Sequence, residues 1–294
     1  MRYPSFALSL TALCLAPVAF ASLPLDYEAR AEYSWTENIG RAAGEIDFYD
    51  AAAYEAGFTA GTSRQLAPGL TGRLQLESSG TVHPEYEELN HANVGPRAIL
   101  SKKFGLGPQA PVLSAETSAI GRFADITDSE GVTLRGAVTL SKRFGHYLTA
   151  QLRGEWQEHV AAGDTYSVHH RAVFAQVFAD PFEWLRVGAG VGRYEGTFVA
   201  GAGAARFAGA LGGKRGPRVA DYFATIPTHV SNAFATGWTD YRVEGDVDQW
   251  WFELSPALSE NLSFSLRYER ALATNIVDME YGQDTFRLGV IYAF

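Results

Sequence analysis

Residues 285–294 read Thr-Phe-Arg-Leu-Gly-Val-Ile-Tyr-Ala-Phe. Phe286, Leu288, Val290, Tyr292 and Phe294 fall at every second position, with Thr285, Arg287, Gly289, Ile291 and Ala293 between them. Alternation of period two is the mark of a β-strand with one apolar face. At the open edge of a soluble sheet such a strand would template pairing with other chains, whereas a closed barrel has no edge. The stretch therefore predicts a barrel, and a barrel requires matching strands elsewhere.

A clear one lies at the other end. Leu25, Tyr27, Ala29, Ala31, Tyr33 and Trp35 alternate with Asp26, Glu28, Arg30, Glu32, Ser34 and Thr36. A charge facing lipid near the membrane midplane costs about 2–4 kcal/mol, so the charged face belongs to the interior. Further strands are expected at about 48–61, 70–77, 94–104, 113–123, 132–144, 147–157, 168–179, 185–194, 249–255 and 262–269. Turn signals such as Pro68-Gly69, Gly145-His146 and Asp180-Pro181 separate them. The string Leu100-Ser-Lys-Lys-Phe-Gly105 returns as Leu140-Ser-Lys-Arg-Phe-Gly145, which reads as two equivalent strand ends. Phe104 and Phe144 would then sit in an interfacial belt, with Lys102 and Lys142 reaching the headgroups.

Composition agrees. Charged residues make up 19% of the chain, below the roughly 25% usual in soluble domains, while aromatics reach 13% and glycines number 30. Mean hydropathy is only −0.09, because apolar and polar faces alternate and cancel. Residues 1–21 read as a cleaved signal peptide: Arg2, an apolar run from Phe6 to Leu15, then Ala19-Phe20-Ala21. Cys14, the single cysteine, lies inside it, so a mature chain of 22–294 would be cysteine-free. The formal charge of −9 makes a nucleic-acid partner a poor fit. The expected fold is thus all-β, a transmembrane antiparallel up-and-down barrel. Twelve strands follow if 195–248 is a long irregular or inward-folded segment, and fourteen if it holds a hairpin of about 197–211 and 219–231. Twelve is preferred.

The stretch Phe286-Arg-Leu-Gly-Val-Ile-Tyr-Ala-Phe294 resembles the last strand of bacterial outer-membrane β-barrel proteins, which end in an aromatic residue read by their assembly machinery. That resemblance implies residence in the outer membrane, contact with its lipids, and recognition of Thr285–Phe294 by the assembly machinery.

Candidate functional residues fall into two sets. Asp26, Glu28, Arg30, Glu32, Arg73, Glu77, Arg97, Lys103, Glu116, Arg122, Arg135, Arg143, Arg153, Glu155 and Arg171 are assigned to inward positions. They either line a pore that selects small solutes or fill a closed lumen with ion pairs. The second set is His229-Val230-Ser231-Asn232, which resembles the His-x-Ser-Asn motif of outer-membrane phospholipase A and lipid A deacylases. The resemblance implies His229 as base and Ser231 as nucleophile. The third member would fall at Val243, whose neighbour Glu244 is the nearest acid. Asp240, Glu244, Asp246 and Asp248 read as a solvated loop. No phosphate loop or zinc spacing is present, and neither cofactor nor metal is expected. The leading function is a pore for small solutes with a charged lumen. Its alternatives are a membrane-embedded lipid esterase using Ser231 and His229, and a closed structural or adhesive barrel acting through its loops.

Overall fold

A computed structural model describes residues 25–294; the expected signal segment, 1–21, lies outside them. The first nine strands are β1 (Asp26–Glu37), β2 (Ala51–Ala67), β3 (Leu70–Val82), β4 (His91–Lys103), β5 (Val112–Ala124), β6 (Gly131–Phe144), β7 (Leu148–Ala161), β8 (Val168–Phe182) and β9 (Leu185–Ala202). Two helices follow, α1 (Ala204–Leu211) and α2 (Pro217–Phe223). The remaining strands are β10 (Thr228–Val230), β11 (Thr239–Pro256), β12 (Leu262–Asn275) and β13 (Glu280–Ala293).

Twelve of these strands close an antiparallel barrel, and β10 is a short addition hydrogen-bonded to β11. Each barrel strand pairs with its sequence neighbour, except that β9 passes over the inserted segment to pair with β11 along its whole length. The ring is shut by β1 against β13, from Glu28 opposite Ala293 to Glu37 opposite Asp284. Closure pairs every ladder, which a membrane demands because lipid offers no substitute hydrogen bonds. Connections 68–69, 104–111, 145–147, 183–184 and 257–261 lie at one end of the barrel, and 38–50, 83–90, 125–130, 162–167, 203–238 and 276–279, which include the longest, at the other.

The outward face follows from alternation. Tyr27, Leu74, Leu100, Leu152, Val173, Val191, Trp250, Phe286 and Leu288 all stand exposed on it. Such a belt of apolar side chains is stable against lipid and not against water. Phe104 and Phe144 are exposed at strand ends, and the Lys142 ammonium lies over the Phe144 ring.

The fourteen-strand alternative does not form, because its extra hairpin is helical. Residues 204–211, Ala-Ala-Arg-Phe-Ala-Gly-Ala-Leu, hold good helix formers and no β-branched residue, and Pro217 occupies the first turn of α2, where its missing N–H costs nothing. The break in the barrel wall is also narrower than 195–248. Residues 195–202 finish β9, and 239–248 begin β11.

Above Gly196 and Gly245, which face each other, the ladders to β8 and β12 have ended. There β9 and β11 continue as a ribbon. Phe198, Ala200, Tyr241 and Val243 on one face of it pack with Ala210 of α1, Phe223 of α2, Met279 and Tyr281. This buried cluster is the apolar core of the described residues. It lies at the mouth, and the barrel wall below it is lined with charge.

Candidate functional site

The inner wall is organised by cross-strand registers. Glu77, Arg97, Glu116, Arg135, Arg153 and Glu155 share the face opposite the exposed leucines, and their charges connect into a ladder. Arg97 spans Glu77 on β3 and Glu116 on β5, at 2.8 Å to each. Arg153 on β7 reaches back over β6 to Glu116 at 3.5 Å and also binds Glu155 at 3.0 Å, which holds Arg135 at 2.6 Å. A contact that skips a strand is feasible only on the concave side of a sheet, which places the ladder in the lumen.

Arg30 pairs with Glu55 at 2.6 Å and Glu32 with Arg287 at 3.6 Å on the same face. Glu28 and Arg73 lie nearer the short-turn end, without an ion-pair partner among the described residues. The side chains of Arg30, Arg135 and Arg287 remain 52, 39 and 40% exposed. A packed interior would leave them a few per cent, so side chains do not fill the space around them.

One inward assignment is overturned. Arg171 faces out, opposite Trp156 and Glu195. The centre of β8, Ala172-Val-Phe-Ala175, is apolar on both faces, so its alternation carried no orientation.

Below the mouth is a cavity of about 670 Å³ lined by Arg41, His83, His91, Arg122, His159 and Arg287 among others. His159 is fixed at both ring nitrogens, by Thr133 Oγ1 at 2.9 Å and the Ser129 carbonyl at 3.1 Å. His91 Nδ1 meets the Leu89 carbonyl at 3.0 Å, which makes that nitrogen the donor. Burial, with His91 and Arg122 nearby, holds the His83 ring below its ordinary pKa. Sequence reading passed over Arg41, His83, His91 and His159. The signal for His159 was available, since it continues the inward parity of Arg153, Glu155 and Gln157.

Residues 203–238 contribute Phe234 to the cavity lining and touch each of the five other connections at that end. Asp47 of 38–50 accepts from the Gly203 N–H at 3.2 Å and pairs with Arg206 at 3.4 Å. Tyr86 of 83–90 meets the Phe234 ring at 4.8 Å between centroids. Asp128 of 125–130 holds His229 Nδ1 at 2.9 Å, and Tyr166 of 162–167 lies edge-on to the same imidazole. Arg218 donates to the Ile276 carbonyl at 2.8 Å and pairs with Asp278. Trp238, fully buried, anchors the centre against Tyr49 and Phe234. Its Nε1–H and the Tyr166 hydroxyl donate to the two oxygens of buried Asp240, at 2.9 and 2.6 Å. Burial and the Asp240 charge raise the Tyr166 hydroxyl, which keeps its proton in that bond.

The His229 set does not assemble as the motif implied. Ser231 is buried, and its Oγ accepts the Ala233 N–H at 3.3 Å, with no hydrogen bond to His229 among the described residues. Glu244 is four positions along β11 from Asp240, the residue opposite His229, and its side chain is exposed. The carboxylate at His229 is Asp128, brought by a connection distant in sequence. Asp240, Glu244, Asp246 and Asp248, expected in a loop, share one face of β11. No group able to hold a metal occurs among the described residues.

No family model and no curated protein matches the sequence. Among solved structures, the chain is similar to an outer-membrane channel from Pseudomonas putida F1. The two are 10% identical, with 92% of this chain and 96% of that one covered at a TM-score of 0.59. It is also similar to the KdgM porin (9% identity, 90% of this chain and 99% of that chain, TM-score 0.45). The NanC porin is a third (11%, 90% and 98%, 0.44). At these identities the first likeness shows the fold alone: the chain has the fold of outer-membrane β-barrels.

Proposed function

We propose that the protein is an outer-membrane channel that passes small hydrated solutes through a charged lumen, with residues 203–238 as a cover on its extracellular mouth. The observation that carries this reading is the unfilled interior. Arg30, Arg135 and Arg287 keep two-fifths or more of their side-chain surface open, give or take a per cent, although they point inward. A barrel meant only as a closed anchor would fill that space with packed side chains. The similar Pseudomonas putida protein is itself described as a channel, which agrees with the reading.

The exposed apolar belt supports residence in the outer membrane, reached through cleavage near residue 22. Thr285–Phe294 supports recognition by the barrel assembly machinery. Purified protein in planar bilayers is expected to give discrete conductance steps; their absence across several salts and voltages would remove the channel reading.

A further inference from the structure

The lumen divides into two electrostatic zones. In the ladder zone the guanidinium groups of Arg97, Arg135 and Arg153 each have a carboxylate within reach. In the cavity beneath the cover the balance is different. Arg122 and Arg41 both line it, and neither has a carboxylate within 4.0 Å among the described residues. Arg41 Nε meets only the Gln283 side-chain oxygen, at 3.3 Å; the buried Nε of Arg122 has no hydrogen-bond partner, as is also true of Arg97 and Arg135 in the ladder, so what sets the cavity apart is the missing carboxylate. His83 Nδ1 is buried and unpartnered in the same wall.

The acids that line the cavity, Asp240 and Glu88, lie within 4.0 Å of neither guanidinium. Both oxygens of Asp240 are taken, by Trp238 and Tyr166. Arg287 is already paired with Glu32, and Glu88 is exposed on the cavity rim. Two cationic forks with unfilled donors, inside a polar recess, describe a site that lacks its anion. An arriving oxyanion would supply these guanidiniums with the counter-charge they lack. Guanidinium groups suit a two-oxygen partner, which they bind through parallel N–H bonds. The recess, about 670 Å³, falls in the usual size range of small-molecule sites.

We infer that Arg122 and Arg41, in the cavity under residues 203–238, form a binding subsite for the oxyanion group of a small organic anion. The inference rests on the channel reading for its route of access. Binding and conduction are nevertheless separate measurements. The probes are sodium citrate and inorganic phosphate, titrated calorimetrically into the full-length detergent-solubilised protein. The same preparations are examined for conductance in bilayers.

Binding of at least one probe is expected, weakened roughly tenfold or more in Arg122→Gln and in Arg41→Gln, a loss typical of removing one charge-assisted contact. Arg122→Lys, which keeps the charge and loses the fork, is expected to fall between. The probe bound more tightly identifies a carboxylate or a phosphate as the preferred oxyanion. Heat-modifiable gel migration shows which variants fold, and any one of the three suffices. Neither probe binding, or folded variants binding like the parent, would overturn the subsite while leaving the channel intact. Binding without conductance would leave the subsite and remove the channel.

Discussion

Arg153 Nη1 lies 3.5 Å from Glu116 Oε2 although β6 runs between their strands. That reach across the concave wall joins two short pairings into one continuous ladder, from Glu77 on β3 to Glu155 on β7. Glu155 serves two arginines, Arg153 and Arg135, and Arg135 is the end of the ladder.

Glu155→Ala should therefore act on both stability and selectivity. The Glu155 side chain is 6% exposed, and its removal leaves Arg135 without a carboxylate and Arg153 with Glu116 alone; these arginines are 39 and 18% exposed, so water screens part of the loss. A cost of about 1–2 kcal/mol is expected from urea unfolding in detergent, short of the figure for a fully buried pair. The reversal potential in a salt gradient should move toward anion preference. An unchanged potential would mean that the ladder does not face the conduction path.

The cover should limit flow. It is fastened by side chains to five connections, with ion pairs at Asp47 and Asp278 and a 2.9 Å contact between Asp128 and His229. Replacing residues 204–237 with a short turn leaves every barrel ladder in place, since β9 and β11 pair without that segment. Single-channel conductance is expected to rise several-fold over the intact protein, while heat-modifiable migration persists. Equal conductance would show that solute passes beside the cover.

The barrel was legible wherever one face was charged and the other greasy, as in Asp26–Thr36, Leu70–Glu77 and Thr285–Phe294. It was illegible where composition hid the alternation. In β9 the run Val199–Ala202 is too small in side chain to signal a strand, yet those small residues let Trp238 lie against Gly201. In β11 the acids at even positions suggested a loop, while the odd positions, Tyr241, Val243 and Val247, carried the strand signal and form the buried cluster. The His229 motif drew attention to a real junction but named the wrong acid. Asp128 and His229 meet through tertiary folding, and no spacing within 229–244 encodes that.

Acid should weaken the region around His83. The ring is buried beside His91 and Arg122, which lowers its pKa in the folded state. The unfolded chain then binds the proton more readily, so the contribution to stability is full above about pH 6.5 and is lost as pH falls below that value. The unfolding midpoint should drop between pH 7 and pH 5, and His83→Gln should flatten part of that slope. A parallel profile in the variant would assign the dependence to other groups.

The bend that carries β9 and β11 away from the wall depends on Gly245. A side chain there would press on the Thr274 carbonyl oxygen and the Asn275 Cα, both backbone and unable to yield, and facing Gly196 would meet the His169 carbonyl in the same way. The two glycines sit opposite each other where the ladders to β8 and β12 end. Gly245→Val is expected to cost about 1–3 kcal/mol through overpacking and to loosen the cover, raising conductance in the otherwise intact protein. Gly80→Ala is the control: it is also in a barrel strand, but nothing lies within 4 Å of the added carbon. Its effect should stay within about 0.5 kcal/mol. If both substitutions cost alike in the same unfolding measurement, the loss would belong to strand glycines in general and the bend at Gly245 would have no special role.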